Sequence, residues 1–191
     1  MHRTICDFAL DLVQNSIEAR SSLVMCDFFE TEDELTVFVA DNGCGMSPEQ
    51  LEKARDPFFT DGVKHVEREV GLGLAFLAQA VEMSGGEFEI DSREGQGTSV
   101  KFRFDKNNID TPPVGSVANT FFAALTYPGE HEMVINRKYN DSANVFSYSL
   151  TRSELADVVG GFENSGSLQL LRTYLRSQED VSEEKAVGRK N

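Results

Sequence analysis

The chain has 191 residues and a formal net charge of −14 at pH 7. This length predicts one domain, or one domain with a small addition. Hydrophobic residues make up 40% of the chain, which is enough for a well-formed core. The strong negative charge argues against binding to nucleic acid or to an anionic membrane surface, but it is compatible with an anionic ligand held by backbone amides.

The three cysteines, Cys6, Cys26 and Cys44, are odd in number and lack the spacing of a metal site or a redox pair. No stretch has the pattern of a signal peptide or the length of an apolar membrane span. We therefore expect reduced thiols and a cytoplasmic protein that does not enter a membrane.

The first predicted element is an amphipathic helix over residues 4 to about 20. Its apolar stripe, which includes Phe8 and Leu12, should pack against a sheet. Asp11 and Asn15 lie one turn apart on the polar face. A carboxylate and an amide oxygen at this spacing are suitable ligands for Mg²⁺, directly or through water. A solvated polar face without a ligand is the other interpretation of the same pattern.

A pair of antiparallel strands is predicted over residues 23–29 and 35–40, and the second strand leads into Asp41-Asn42-Gly43-Cys44-Gly45-Met46. The two glycines of this stretch allow positive φ and let a ligand lie directly on the backbone. The carboxylate of Asp41, at the end of the strand, is expected to be buried and to need a hydrogen-bond donor such as the exocyclic amine of adenine. A Gly-rich hairpin turn with an exposed Asp is the alternative.

Two helix starts follow. Ser47, Pro48 and Gln50 predict the beginning of a short helix that ends near Arg55, and a mobile lid is expected over residues 56–69.

The next helix opens with Gly71-Leu72-Gly73-Leu74 and is predicted to end near residue 84. Glycines at a helix N-terminus leave free amides at the positive end of the helix dipole, which favours phosphate. A plain flexible helix start explains the two glycines as well. A hairpin over residues 87–104 comes after this helix, and Thr98 lies beside its turn, where its hydroxyl group could assist at a base.

A polar segment over residues 105–114 predicts a subdomain boundary. Beyond it we expect a C-terminal α/β appendage over residues 115–178 and a disordered tail over 179–191. The appendage is predicted to contain a helix over 116–126, a hairpin of strands over 131–139 and 144–150, a helix from a Thr151–Glu154 capping box to Gly160-Gly161, and a last helix over 167–178.

Four motifs in this order resemble the GHKL ATPase superfamily, which includes gyrase, a heat-shock chaperone, MutL and histidine-kinase catalytic domains. They are Asp-x-x-x-Asn on the first helix, Asp-x-Gly-x-Gly after a strand, Gly-Leu-Gly-Leu at a helix start, and Gly-x-Gly-Thr between two strands. The resemblance covers residues 4–104 and implies an ATP-binding domain over 1–105. The implied fold is a Bergerat-type α/β sandwich, with a mixed, mostly antiparallel sheet and helices on one face.

The resemblance also implies a role for each motif position. Asn15 would be the Mg²⁺ ligand that bridges to the triphosphate of ATP, Asp41 would bind adenine, and Thr98 would assist there. The other implied ATP-binding positions are those that approach the base and ribose or cradle the phosphates, with their neighbours: Gly43, Gly45, Met46, Gly71, Leu72, Gly73 and Leu74.

Asp11 departs from the superfamily pattern, in which a Glu at this position acts as general base or orients the attacking group. Asp is one methylene shorter, and a displacement of about 1 Å can cost about 10²-fold in rate. Asp11 is therefore the candidate catalytic residue of a site compatible with slow hydrolysis, histidine phosphorylation, or ATP binding without turnover.

Few residues precede Asp11, and no histidine lies in a helical phosphoacceptor context, so we do not expect a complete histidine kinase. Three functions stay open: a stand-alone signalling protein that acts on a protein partner as kinase or nucleotide-dependent switch, a slow ATPase switch, and a non-enzymatic ATP or ADP sensor. The appendage is the expected partner surface, and deletion of residues 115–191 is expected to leave nucleotide binding intact.

Overall fold

A computed structural model describes residues 3–55 and 72–187, without the side chains of residues 72 and 181–187. The predicted lid over residues 56–69 and the predicted phosphate-binding Gly71 lie outside the described residues.

The described elements follow the predicted order. They are α1 (Ile5–Glu18), β1 (Leu23–Thr31), β2 (Glu34–Asp41), α2 (Pro48–Arg55), α3 (Leu72–Met83), β3 (Glu87–Arg93), β4 (Gly97–Asp105), α4 (Val117–Leu125), β5 (Glu132–Asn140), β6 (Val145–Thr151), α5 (Arg152–Val159) and α6 (Ser165–Val187). Within these ranges, no helix is long and apolar enough to cross a lipid bilayer.

The strands form one mixed sheet in the order β3-β4-β2-β1-β5-β6. β1 and β5 run parallel, whereas the other neighbouring pairs are antiparallel. Alternate side chains of each strand point to opposite faces, so one row is buried: Phe28 on β1 and Phe102 and Phe104 on β4 are fully buried. Helices cover this row, and the predicted α/β sandwich with a mostly antiparallel sheet is confirmed.

The C-terminal segment differs from the predicted appendage, because its strands belong to the same sheet. β5 pairs with β1 along the whole of β1, from Leu23 opposite Glu132 to Thr31 opposite Asn140. Phe121 of α4 meets the buried Phe28 ring edge-on, with ring centroids 5.1 Å apart. An open edge on β1 would leave its backbone groups unpaired, and β5 removes that edge. The polar segment at 105–114 therefore connects two parts of one core.

The last helix also extends beyond its predicted end. The Glu179 carboxylate accepts hydrogen bonds from the Arg137 guanidinium at 3.3 Å and from the Tyr148 hydroxyl at 2.5 Å. Arg137 is only 3% exposed, and its second ion pair joins it to Glu30 at 2.6 Å. The predicted disorder from residue 179 is wrong as far as Val187, where α6 ends, and the contacts of Glu179 with Arg137 and Tyr148 fix this helix to β5 and β6 at residue 179.

Helix α5 begins at the predicted residue but without the predicted capping box. The Thr151 side chain makes no capping hydrogen bond. Instead, the Glu132 carboxylate on β5 accepts from the Ser153 amide at 3.1 Å, which satisfies one of the free N–H groups of the first turn. The end of the helix at Gly160, in the left-handed region with φ 81°, is as predicted.

Candidate functional site

A cavity of about 410 Å³ lies between α1, β2, β4 and the first turn of α3. This volume and a mostly apolar wall with a few polar groups are typical of small-molecule sites. The apolar wall is formed mainly by Leu12, Val39, Met46, Leu74 and Val100. The predicted polar residues that line the cavity are Asn15, Asp41 and Thr98.

The Asp41 carboxylate is fixed in one orientation at the end of β2. The Ser16 hydroxyl on α1 donates to its Oδ2 at 2.7 Å, and the Gly43 amide donates to its Oδ1 at 2.8 Å. A carboxylate offers about four lone-pair positions, so each oxygen keeps acceptor capacity after these two bonds. Asp41 thus presents a preorganised negative acceptor to the cavity.

Thr98 lies beside Asp41, because the two residues are direct partners in the β2–β4 register. Its hydroxyl is 2.8 Å from the Ser92 hydroxyl, which also donates to the Gly97 carbonyl and accepts from the Met46 amide at 2.9 Å. Because Ser92 has a single proton and directs it to Gly97, the Thr98 hydroxyl donates to Ser92. The Thr98 oxygen then remains an acceptor.

Backbone crowding explains two of the glycines around the cavity. Gly45 has φ 63°, and a Cβ there would overlap the Arg93 carbonyl. Gly97 has φ 96°, and a Cβ there would overlap the Asp41 carbonyl. A side chain at either position would push the turn after β2 away from the β3–β4 hairpin, and both positions are in a conformation that L-residues rarely adopt.

Gly43 faces the protein rather than the cavity. A Cβ at Gly43 would lie 2.7 Å from the Ser21 hydroxyl and 2.8 Å from the Ala19 carbonyl. The neighbouring Cys44 amide donates to that same Ala19 carbonyl at 3.0 Å. The turn after β2 is therefore packed against the end of α1. Gly43 contributes to the site through the hydrogen bond from its amide to Asp41, and its direct approach to a ligand stays a prediction.

The other end of the cavity lies where α1 meets the start of α3. A Cβ at Gly73 would be 3.4 Å from Asp11 Oδ2, so the two helices approach closely at this glycine. The side chain of Leu74, in the same turn, lines the cavity. The amides of a first helical turn have no partner within the helix and carry partial positive charge, which makes this end suitable for phosphate.

Asp11 is already engaged at that end. The Arg3 guanidinium donates through Nη1 to Asp11 Oδ2 at 2.5 Å, and both side chains are about one-third exposed. Asn15, one turn further along α1, lines the cavity between this ion pair and Asp41. The predicted metal-binding Asn15 and base-binding Asp41 thus line the cavity, whereas the predicted catalytic Asp11 lies one turn before Asn15 on α1 and is not part of the lining.

Residues 4–108 match the family of histidine kinase-, DNA gyrase B-, and HSP90-like ATPases. The chain belongs to this ATPase family. Its relatives include the histidine protein kinase DivJ of Caulobacter vibrioides, which is 35% identical over 104 residues, or 53% of this chain and 17% of DivJ. The methanogenesis regulatory histidine kinase FilI of Methanothrix harundinacea is 40% identical over 70 residues, or 37% of this chain and 8% of FilI.

The ATPase domain accounts for only part of such proteins, since the chain spans less than a fifth of the length of these two relatives. Among solved structures, the N-terminal domain of a DNA repair protein matches with a TM-score of 0.52 and 14% identity. The match covers 86% of this chain and 58% of that one, so it extends the shared fold well beyond the family segment.

Members of this ATPase family bind ATP. The cavity has features suited to a nucleotide: a fixed carboxylate acceptor at Asp41, apolar walls, and a nearby helix start. Within residues 3–55 and 72–180, no cluster of three or more His, Cys, Asp or Glu side chains is close enough to hold a metal. Mg²⁺ at phosphates commonly uses only one or two protein ligands, and the Asn15 amide oxygen is available for that role.

Three side chains that position the site were not among the predicted site residues: Arg3, Ser16 and Ser92. The sequence could have indicated Ser16, because it is a polar residue in the apolar stripe of α1 and a buried hydroxyl needs a hydrogen-bond partner. In the structure Ser16 is 5% exposed. The partners of Arg3 and Ser92 depend on helix packing and hairpin register, which no local pattern specifies.

Proposed function

We propose that the protein is a Mg²⁺-ATP-binding signalling protein that acts on a protein partner, as a kinase or as a nucleotide-dependent switch. Nucleotide binding is proposed chiefly on the Asp41 carboxylate, which hydrogen bonds from Ser16 and Gly43 fix in an apolar cavity. A fixed acceptor there selects a flat apolar ligand with a donor at its edge, as adenine has. Asn15 would bind Mg²⁺, and the first turn of α3 would bind the phosphates.

A protein partner is proposed as the phosphate acceptor because residues 3–55 and 72–187 place no histidine at the cavity. His131 is the only histidine in the described part of the chain, and it is 4% exposed at the start of β5. A buried imidazole cannot reach the terminal phosphate of a nucleotide in a cavity formed by other elements. The names of DivJ and FilI, both histidine kinases, support phosphotransfer signalling as the setting.

Incubation of the protein with γ-labelled ATP and candidate partner proteins tests this part. The expected result is label on a partner, or a complex that forms with ATP and dissociates with ADP. If no partner is labelled and no complex depends on the nucleotide, the signalling part of the proposal is wrong.

A non-enzymatic nucleotide sensor is the second candidate, and the Arg3–Asp11 ion pair favours it. The guanidinium at 2.5 Å offsets the negative charge of the Asp11 carboxylate, which makes it a weaker acceptor for the proton of a water molecule or hydroxyl. In a sensor, phosphate release stays at background and Asp11→Asn leaves it unchanged. In a slow ATPase, measurable phosphate release disappears in Asp11→Asn.

Calorimetric titration with ATP and ADP, with and without Mg²⁺, tests nucleotide binding directly. Asn15→Ala should weaken Mg²⁺-ATP binding by at least about 10-fold and remove most of the Mg²⁺ dependence, because a metal ligand is lost. Asn119→Ala, at an exposed position on α4, makes the same chemical change away from the cavity and should have no effect. Equal binding by all three proteins would contradict the role of Asn15.

A further inference from the structure

Arg3 is held in place by two helices as well as by Asp11. Its guanidinium carbon lies 5.8 Å from the centroid of the Phe8 ring on α1 and 5.5 Å from that of the Phe76 ring on α3. Both rings are within the range at which an aromatic face attracts a cation. With the 2.5 Å bond to Asp11, these contacts position the guanidinium between α1 and the beginning of α3.

This position borders the proposed phosphate end of the cavity, because Leu12 and Leu74, the chain neighbours of Asp11 and Gly73, line the cavity there. Asp11 Oδ2, to which Arg3 is bound, lies 3.4 Å from the site of a Cβ on Gly73, in the first turn of α3. Phe76, which stacks near Arg3, is one turn further along the same helix. A phosphate group that binds to the amides at the start of α3 would therefore meet Arg3 as well.

The charges at this end also require a cation. A triphosphate carries several negative charges, and the carboxylate of Asp11 would repel it in the absence of a compensating group. A guanidinium group has five N–H donors, and the bond to Asp11 uses one of them. Arg3 can therefore bind a phosphate oxygen while it neutralises Asp11, or exchange one anion for the other.

We propose that Arg3 is the residue that recognises the terminal phosphate of the bound nucleotide, and that it gives the site its preference for ATP over ADP. This inference rests on the proposed nucleotide binding. In the state described by the structure the guanidinium is bound to Asp11. With ATP, the N–H donors of Arg3 that the bond to Asp11 leaves free bind the terminal phosphate, while the guanidinium continues to neutralise Asp11. ADP lacks that phosphate and leaves these donors unused.

Titration calorimetry with a non-hydrolysable ATP analogue and with ADP tests the proposal in the full chain. Arg3→Ala should weaken binding of the triphosphate by about 10- to 100-fold, the loss expected for a hydrogen bond between charged groups, and change ADP affinity by less than about 3-fold. Arg3→Lys should be intermediate, because it keeps the charge but loses the planar fork. Arg176→Ala, at an exposed position on α6, removes the same charge elsewhere and should change neither affinity.

The Asp11→Asn background separates contact with the phosphate from simple neutralisation of Asp11. If Arg3 binds the phosphate, Arg3→Ala still weakens triphosphate binding when Asp11 is already neutral. If the double variant instead regains the wild-type affinity, Arg3 acts only on Asp11 and the proposal is wrong. Equal losses for ATP analogue and ADP in Arg3→Ala, with a lowered melting temperature, would also overturn it, because Arg3 would then only stabilise the fold. Wild-type protein that binds neither nucleotide would overturn the proposed function and this inference together.

Discussion

Asp41→Asn is the most direct test of whether Asp41 recognises the adenine base of a bound nucleotide. The substitution keeps the size of the side chain and changes one acceptor oxygen into a donor. The remaining amide oxygen can still accept from the Gly43 amide, as Oδ1 does at 2.8 Å. The new amide nitrogen can donate to the Ser16 hydroxyl, which now donates to Oδ2 at 2.7 Å. The fold should therefore tolerate the change.

The effect on nucleotide binding should be large. An amine that donates to the Asp41 carboxylate makes a hydrogen bond to a charged group, worth about 1.5–3 kcal/mol. In Asp41→Asn the amine faces a second donor, so this bond is lost and the Kd for ATP should rise by about 10²-fold. Guanine carries a carbonyl oxygen where adenine carries its amine. GTP should therefore lose less affinity than ATP, and the ATP-to-GTP preference should fall.

Titration calorimetry with ATP and GTP at fixed Mg²⁺ and salt measures both effects. Asp157→Asn, at an exposed position on α5, removes the same charge outside the cavity and serves as the control. Thermal melts should show a change of only a few degrees in either variant. An ATP affinity of Asp41→Asn within about threefold of the wild-type value would refute the assignment of Asp41 to the base.

Three further predictions concern the core and the cavity mouth. Burial and the nearby charge of Arg152 lower the pKa of His131, so the unfolded chain takes up this proton at a higher pH than the folded chain. The free energy of unfolding should therefore decrease as the pH falls through the usual histidine value of about 6.5, and His131→Leu should flatten this dependence in thermal melts. Cys44 is exposed and lines the cavity, so maleimide should add there selectively, and saturating Mg²⁺-ATP should slow the addition in mass spectra. Arg137→Met should lower the free energy of urea unfolding by about 1.5–3 kcal/mol, because it removes the guanidinium from the buried Glu30 carboxylate, which keeps only its ion pair with Lys106 at 2.9 Å.

Each of these predictions has its own control and contrary result. If wild type and His131→Leu show the same pH dependence of stability, that dependence comes from other titrating groups. Cys6 and Cys26 are buried, and burial raises the pKa of Cys6 to about 11, so labelling of either before Cys44 would contradict the structure. Arg176→Met provides the exposed counterpart to Arg137→Met, and equal unfolding free energies of the two variants would be inconsistent with a buried ion pair.

Much of the fold could be predicted because its signals are local. The Ser47 and Gln50 side chains cap α2 reciprocally, with bonds of 3.3 and 2.9 Å, as the residue spacing indicates. The alternation of Val100, Phe102 and Phe104 with polar residues specifies which face of β4 is buried. Patterns of this kind involve residues that are at most four apart, so one sequence is sufficient to recognise them.

The remaining features depend on partners that are distant in the chain. The parallel pairing of β1 with β5 joins residues more than one hundred positions apart, such as Leu23 and Glu132. The polar appearance of residues 179–187 predicts disorder, whereas the carboxylate of Glu179 binds a cation that is buried by other elements. In the site, the side-chain donor to Asp41 is Ser16 on α1, and no pattern around Asp41 identifies it. Such features follow from the packing of the whole chain.

Helix α1 links the nucleotide site to the C-terminal segment. It carries Asn15 and Ser16 on the cavity side, and it packs against α4. Because the Ser16 hydroxyl donates to the Asp41 carboxylate, a displacement of α1 would move Asn15, the proposed metal ligand, together with Asp41, the proposed acceptor for the base. Deletion of residues 115–191 would expose Phe28 and the edge of β1, so it removes part of the core as well as the proposed partner surface. The partner surface should therefore be mapped with single substitutions on the exposed sides of α4 and α6, where a change in partner binding can be separated from a loss of folding.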